Sequence, residues 1–394
     1  MPKISIVFSY RNRETVRVKR CLDSLAEQTF SDFEVIFIDY GSTEPHKSGI
    51  KELTSRYSFV NHVYNHTIGM PWNRAHALNT GIRIATGNYI LFGDIDLIYS
   101  PNVLEILNNN LKPNRQIYSS VILLPKEFDQ WESLFFLNVS EFPNTSFSGK
   151  GGVHLVEKEN LNRINGYDEY YAYWGVEDRD LNLRIKSRGV EDFWLDKREC
   201  QIYHQWHPKT SNLKNSDFPD KWWEEMNIYF SLNQKNLVRN EKGWGKIYTS
   251  EDRPSLRKEL ISQSITINPV NKLYGDNGKT STILTITDAW CSLPPGKSLQ
   301  FSFPKTNDFQ NRYYSTLNKA VSWIAKKAGG IFLSADEYNI LKSYQDRENN
   351  FIPEYDIMYC LWSLIKTHQI HCDYSFFGKD DVVQVTLHKI ATNG

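Results

Sequence analysis

Short apolar runs alternate with amphipathic stretches through the first 125 residues. Ile4–Phe8, Glu34–Ile38, Phe59–Tyr64, Tyr89–Phe92 and Gln116–Leu124 are brief and rich in β-branched or aromatic residues, and they read as buried strands. Between them, Glu14–Gln28, Lys47–Tyr57, Pro71–Ala85 and Pro101–Leu111 read as helices. In the first helix Val16, Val18, Cys21, Leu22 and Leu25 form the apolar side. In the third, Pro71 suits a first turn and Leu78, Ile82 and Ala85 supply a core stripe. Strands alternating with helices of this length predict an α/β domain with a mostly parallel sheet covered on both faces.

The texture then changes twice. Residues 126–250 are richer in loops, Gly and Trp, with a helix read at Glu177–Lys186 and a strand just before His204. Beyond about residue 255, strand patterns at Ile261–Ile267, Ser281–Thr287, Ser298–Phe303 and Val382–Leu387 mix with helical patterns at Tyr313–Lys327, Ala335–Tyr344 and Tyr355–His368. This divides the 394 residues into a domain over 1–255 and a C-terminal mixed α+β accessory domain over 256–394.

Composition narrows the classes. Lys plus Arg equals Asp plus Glu at 46 each, so no global field favours nucleic acid or an anionic membrane. Cys21, Cys200, Cys291, Cys360 and Cys372 are scattered, which argues against a zinc cluster or a disulfide scaffold and fits a reducing compartment. No run reaches the 18 or more apolar residues of a spanning helix, and the first residues are too short and β-like for a signal peptide. A cytoplasmic protein is expected, with docking on the inner face of a membrane left open. Aromatics are high at 14%, which serves either a large core or a surface on which sugar rings stack.

Candidate chemistry collects at strand ends. Asp94-Ile95-Asp96 follows the strand Tyr89–Phe92 and Gly93, at the place where open α/β sheets bind ligands. In extended backbone, residues two apart point the same way, so both carboxylates are expected over one spot. One or two carboxylates with phosphate oxygens completing the shell suit a hard divalent cation on a diphosphate. Ser9-Tyr-Arg-Asn-Arg13 leaves the first strand with polar and cationic groups that suit a nucleotide's base and phosphates, or make a charged surface turn. Asp39 follows the second strand and either accepts from a uracil N–H or ribose hydroxyl or caps the next helix. Arg74 and Asn79 are the ligand-facing candidates of their helix, Arg74 as a phosphate partner or a surface ion pair. Glu177 and Asp178 open a helix after Trp174-Gly175, where acids serve the helix dipole or bind an acceptor and remove its proton. His204 and His207 add imidazoles, one of which with carboxylate and phosphate oxygens would suit Mn²⁺.

These segments together resemble the GT-A-fold glycosyltransferases, Rossmann-like nucleotide-diphospho-sugar transferases. They are similar in motif to the β-1,4-galactosyltransferase group and to bacterial family 2 enzymes of the chondroitin polymerase type. The resemblance covers about residues 1–210 and rests on Tyr10-Arg-Asn-Arg13, Trp72-Asn-Arg74, Leu78-Asn-Thr-Gly81, Asp94-Ile-Asp-Leu-Ile98, Gly151-Gly152, Asn165-Gly-Tyr-Asp168 and Trp174-Gly-Val-Glu-Asp178. It implies an inverting, metal-dependent transfer of a hexose or N-acetylhexosamine from a UDP-sugar to a saccharide hydroxyl, in surface polysaccharide or glycan synthesis. Asp178 would be the general base, and Glu177 would hold a sugar. Tyr10, Arg11, Arg13, Asp39, Arg74, Asp94, Gly152 and Trp174 would serve the donor. Asp96 with His204 or His207 would hold Mn²⁺ (or Mg²⁺).

The sequence departs from the galactosyltransferase pattern at Val176, where a Gly is usual, at Arg179 inside an acidic run, and at Gly149, where a bulky Tyr is usual. A small residue at 149 admits an N-acetyl group, so UDP-GalNAc stands beside UDP-Gal. The alternatives are a retaining enzyme like the polypeptide N-acetylgalactosaminyltransferases and a non-catalytic carbohydrate-binding protein on the same fold. The C-terminal region is left to acceptor recognition, homo-oligomerisation or partner docking.

Overall fold

The computed structural model describes residues 3–138, 142, 152–173, 175–196, 198–208, 222–266, 289–304, 372–378 and 382–391. The chain divides into two compact units. One comprises Met1–His66, Trp72–Leu213 and Asn233–Ile247, and the other Thr67–Pro71, Lys214–Leu232 and Tyr248–Gly394.

The first unit contains β1 (Ile4–Tyr10), β2 (Phe33–Tyr40), β3 (Val60–Asn65), β4 (Tyr89–Gly93), β5 (Leu97–Tyr99), β6 (Arg115–Ser119), β7 (Ile122–Leu123), β8 (Val153–Glu157), β9 (Glu191–Leu195) and β10 (Ile202–His204). Its helices are α1 (Thr15–Ala26), α2 (His46–Thr54), α3 (Arg74–Ile84), α4 (Val103–Asn109), α5 (Lys158–Asn162) and α6 (Glu177–Lys186). A further helix, α7 (Trp222–Asn233), belongs to the second unit except for its last residue. Seven strands form the main sheet in the order β3-β2-β1-β4-β8-β6-β9. The β1–β4 neighbours are parallel, β6 and β9 are parallel, and β8 runs antiparallel to both β4 and β6.

The period-2 pattern of β1 accounts for its position. Ile4, Ile6, Phe8 and Tyr10 enter one core with Val18, Cys21, Leu22 and Leu25 of α1 and Val103, Leu104 and Leu107 of α4. Val7, with Ile36 and Ile38 of β2, enters the opposite core with Ala75, Leu78 and Ile82 of α3 and Leu181 and Ile185 of α6. Each such side chain contributes about 1.5–3 kcal/mol on burial. The sheet is therefore covered on both faces, as the alternating pattern implies.

Four local features differ from the sequence expectation. Val16 is 48% exposed and lies off the buried face of α1. The third helix starts at Arg74 rather than Pro71, because Asn73 is its cap and accepts at Oδ1 from the His76 N–H at 2.8 Å. The run Gln116–Leu124 breaks after Ser119. β6 stays in the main sheet, whereas β7 joins a three-stranded sheet of order β5-β10-β7 over Ile98, Ile122, Leu124, Leu134 and Tyr203. β8 lies in a stretch whose composition reads as loop.

The second unit carries β11 (Ile261–Thr266), β12 (Ser298–Pro304), β13 (Cys372–Gly378) and β14 (Val382–Lys389), ordered β11-β12-β14-β13. Its buried Arg253 pairs with Asp373 at 2.8 Å and donates to the Tyr374 carbonyl at 2.8 Å. The expected strand Ser281–Thr287 and helices Tyr313–Lys327, Ala335–Tyr344 and Tyr355–His368 lie outside the described residues. Among the described residues, no helix is long and apolar enough to cross a membrane.

Candidate active site

Strand order sets the location. From β1 the chain runs outward through β2 and β3, then returns to place β4 on the other side of β1. Such a reversal opens a crevice at the carboxyl ends of the strands. Arg11 follows β1, Asp39 lies at the end of β2 and Asp94 follows β4, so the topology brings three separated motifs to that edge.

The turns after β1 and β2 are tied together. The Asn12 N–H donates to Ser42 Oγ at 3.0 Å, and Asn12 Oδ1 accepts from the Thr43 N–H at 2.9 Å. Asp39 is buried; its Oδ1 accepts from the Ser42 N–H at 2.9 Å, while its Oδ2 is buried with no hydrogen-bond partner. Burial raises its carboxyl above the usual range, against the Ser42 hydrogen bonds and the charges of Lys47 and Arg11. Arg11, lowered by its own burial, lies among Tyr40, Tyr173, Tyr64 and Asp39. Arg11 and Asp39 are thus brought together.

Tyr10 is not available in the same way. Its ring is fully buried against Phe37 and its hydroxyl donates to the Arg13 carbonyl at 2.8 Å, so it shapes the turn. The Arg13 side chain is exposed on that turn.

The Asp94 and Asp96 carboxylates are near enough to act on each other but make different contacts. Both residues lie in a turn between β4 and β5 rather than in extended backbone, and their partners differ. Asp94 meets Arg74 at 3.6 Å, whereas Asp96 faces His204 at 3.6 Å and His207 at 3.3 Å. β10 pairs with β5 so that His204 lies opposite Leu97, which carries the imidazole to the turn.

One ligand atom each from Asp96, His204 and His207 lie within 4.8 Å of one another. Two features fit a cation there. Asp96 Oδ1 is buried without a hydrogen-bond partner. His207 Nδ1 is 2.9 Å from the Pro208 carbonyl, which, if Nδ1 carries the proton, leaves the Nε2 lone pair aimed at Asp96. Both histidines are in reach of Asp96. Two imidazole nitrogens with one carboxylate suit a first-row divalent transition-metal ion.

Arg74 links this turn to the acids of α6. It lies 3.0 Å from Asp178, 3.6 Å from Glu177 and 3.6 Å from Asp94. Burial works against its charge, yet Asp178, Asp94, Tyr167 and Glu177 outweigh that and hold it firmly protonated. Burial, then the neighbouring Asp178, push Glu177 above the usual carboxylate range, with Arg74 pulling it back. Asp94 is also raised, first by enclosure and then by Asp96, against Arg74. Asp178 Oδ1 additionally accepts from the Tyr167 hydroxyl at 3.2 Å.

The chain enters α6 through backbone that L-residues rarely adopt. φ is +60° at Tyr173, +104° at Gly175 and +71° at Val176, the residue before the helix. A β-branched residue there is strained, and a Gly would adopt it freely. Buried charges hold this entry in place. Asp180 pairs with Arg184 at 2.7 Å, and Arg239 reaches Asp168 at 2.9 Å and Asp180 at 3.4 Å.

Asn79 belongs to the same scaffold and is not a ligand contact. It is buried, donates to the Tyr167 carbonyl and Glu169 Oε1 at 2.9 Å each, and accepts from the Tyr167 N–H at 2.8 Å. Gly166, at φ +66°, faces it so closely that a Cβ would come within 2.2 Å of Asn79 Oδ1. The sequence reading missed Tyr167, Arg239 and Gln205. The i, i+4 spacing of Asp180 and Arg184 was a legible sign of part of the network. Gly152 is buried one residue before β8, while Gly149, Gly151 and Trp174 lie outside the described residues.

Comparison with known proteins agrees with this architecture. Residues 5–154 match the glycosyl transferase family 2 model, and residues 135–208 match the N-terminal domain of galactosyltransferase. Polypeptide N-acetylgalactosaminyltransferase 8 of Drosophila melanogaster is 23% identical over 209 residues, 47% of this chain and 35% of that protein. Validoxylamine A glucosyltransferase of Streptomyces hygroscopicus subsp. limoneus is 24% identical over 227 residues, 48% of this chain and 49% of that protein. The chain thus spans about a third to a half of the length of these relatives. A solved mannosyltransferase from Pyrobaculum calidifontis, in complex with GDP-Man and Mn²⁺, is 17% identical with a TM-score of 0.39, covering 59% of this chain and 63% of that one. The strand order, the site at the sheet's switch point and the two family matches converge: this chain carries a glycosyltransferase domain of the GT-A fold, family 2 in type and galactosyltransferase-like through residue 208.

Proposed function

We propose that this protein transfers a hexosyl or N-acetylhexosaminyl group from a UDP-sugar, with UDP-GalNAc and UDP-Gal favoured, to a saccharide hydroxyl with inversion. The observation that carries this reading is the link through Arg74 between the turn bearing the Asp96, His204 and His207 set and the acid pair Glu177 and Asp178. A catalyst of this reaction must hold a diphosphate at one end and deprotonate a hydroxyl at the other.

Asp96, His204 and His207 would hold Mn²⁺, which when bound supplies Lewis-acid stabilisation of the charge growing on the departing diphosphate. The remaining work falls to the chain's own groups. Asp39, with its unpartnered Oδ2, accepts from a uracil N–H or a ribose hydroxyl, and Arg11 beside it carries compensating charge. Asp178 takes the proton of the attacking hydroxyl at Oδ2, since Arg74 and Tyr167 both hold Oδ1. Glu177, raised toward its protonated form, can donate as well as accept and so orients a sugar hydroxyl. The second unit is assigned to acceptor recognition or self-association.

The test is a panel of UDP-sugars with Mn²⁺, scored by UDP release with and without saccharide acceptors, and NMR of the product's anomeric centre. A product of β configuration from an α-linked UDP-sugar supports the reading. Retention of configuration overturns the role of Asp178, and no release from any UDP-sugar overturns the donor class.

A further inference from the structure

Gln205 stands between His204 and His207 and is buried at 1% exposure. Its backbone N–H donates to the Asp96 carbonyl at 3.1 Å, and its side-chain Nε2 donates to that carbonyl at 3.2 Å and to the Arg17 carbonyl at 3.0 Å. Its Oε1 accepts from Arg20 at 3.3 Å, and that guanidinium lies 3.8 Å over the ring of Trp131. The amide thus faces a carbonyl of the Asp96 turn, a carbonyl of α1 and a guanidinium of α1.

The location explains why such a side chain is needed. Pairing of β10 with β5 fixes His204 against Leu97, but β10 ends at His204. His207 therefore lies beyond the ladder, where pairing no longer dictates the path of the chain. Gln205 is the first residue past that end, and its bonds carry the chain across the Asp96 turn so that His207 Nε2 reaches Asp96 Oδ2 at 3.3 Å. A residue that only filled the volume would leave the two segments free to shift by the fraction of an ångström that metal geometry does not tolerate.

We propose that Gln205 is a positioning residue of the metal site, joining the Asp96 turn, the His204–His207 segment and α1 so that three ligands from two segments meet. This rests on Asp96, His204 and His207 forming the cation site. Hydrogen-bonding partners behind metal ligands typically set affinity by about 10–100-fold.

The experiment titrates the full-length protein with Mn²⁺ and counts free ion by its EPR signal, alongside thermal melts without metal. Gln205→Leu removes the side-chain bonds at similar volume. Gln205→Glu keeps the acceptor for Arg20 but turns a carboxylate oxygen toward the two carbonyls. His207→Ala is the ligand control. Expected are a Mn²⁺ Kd about 10–100-fold weaker for Gln205→Leu and a weakened Kd for Gln205→Glu, both measured well below the melting temperature, with His207→Ala weaker still. If Gln205→Leu does not melt cooperatively, Gln205→Glu decides. A lowered melting temperature with a Kd within about twofold of wild type, while His207→Ala loses binding, would show a merely structural amide and overturn the proposal. If His207→Ala binds as wild type does, the cation site itself is overturned and Gln205 falls with it.

Discussion

Arg74→Met removes the cation that Asp94, Glu177 and Asp178 share while keeping most of the apolar stem. Side-chain exposure decides which pair matters: it is 12% for Arg74, 6% for Glu177, 26% for Asp178 and 45% for Asp94. Removing one partner of a buried pair costs about 3–5 kcal/mol, because a charge is left without compensation. The wetter pairs with Asp178 and Asp94 are worth at most about 1 kcal/mol each. A loss of about 3 kcal/mol is therefore expected once Glu177 is ionised.

The pH dependence gives the sharper test. Burial and Asp178 push the Glu177 carboxyl up to about 7 even with Arg74 beside it, and without Arg74 it moves higher still. A raised carboxyl favours the folded state while it is protonated, and that advantage fades as pH rises through the folded-state value. Wild type and variant both lose stability on this limb, but the variant loses more because nothing offsets its ionised Glu177. At about pH 6 Glu177 is mostly neutral in both, and the difference shrinks to about 1 kcal/mol; at about pH 8.5 it opens to about 3 kcal/mol. Urea unfolding in EDTA at the two pH values, followed by circular dichroism, measures it. A pH-independent difference, or none at the higher pH, would refute the assignment of Glu177 as the buried partner.

Three further outcomes are expected. Asp178→Asn should keep UDP affinity by calorimetry while losing about 10²–10⁴-fold in turnover; near wild-type turnover removes Asp178 from the role of base. Asp96→Ala should abolish the Mn²⁺ dependence of UDP binding, and an unchanged dependence counts against the site. Gly166→Ala places a Cβ 2.2 Å from Asn79 Oδ1, at a positive φ, and should lower stability by about 2–3 kcal/mol in thermal melts; a neutral effect would mean that the Asn79 contact yields freely.

The alternation of β and α elements over the first 125 residues was legible in the chain because each element writes its own period, 2 or 3.6, into adjacent residues. The same holds for an acidic turn after the apolar strand β4 and for acids in the first turn of α6. These are local signals, and the family resemblance added their order. What the tertiary structure alone decided is which of those groups meet. Arg74 and Asp178 are 104 residues apart, and the Gln205 amide finds Arg17 across 188. No period within a window carries such pairings. They come from contacts between distant elements: the return of the chain sets β4 beside β1, packing on β2 buries Tyr10, and pairing of β10 with β5 brings the histidine segment to Asp96 while Asp94 meets Arg74. The insertion of β8 and the splitting of Gln116–Leu124 between two sheets were equally illegible, because an apolar run states that a strand is buried and not which neighbours bury it.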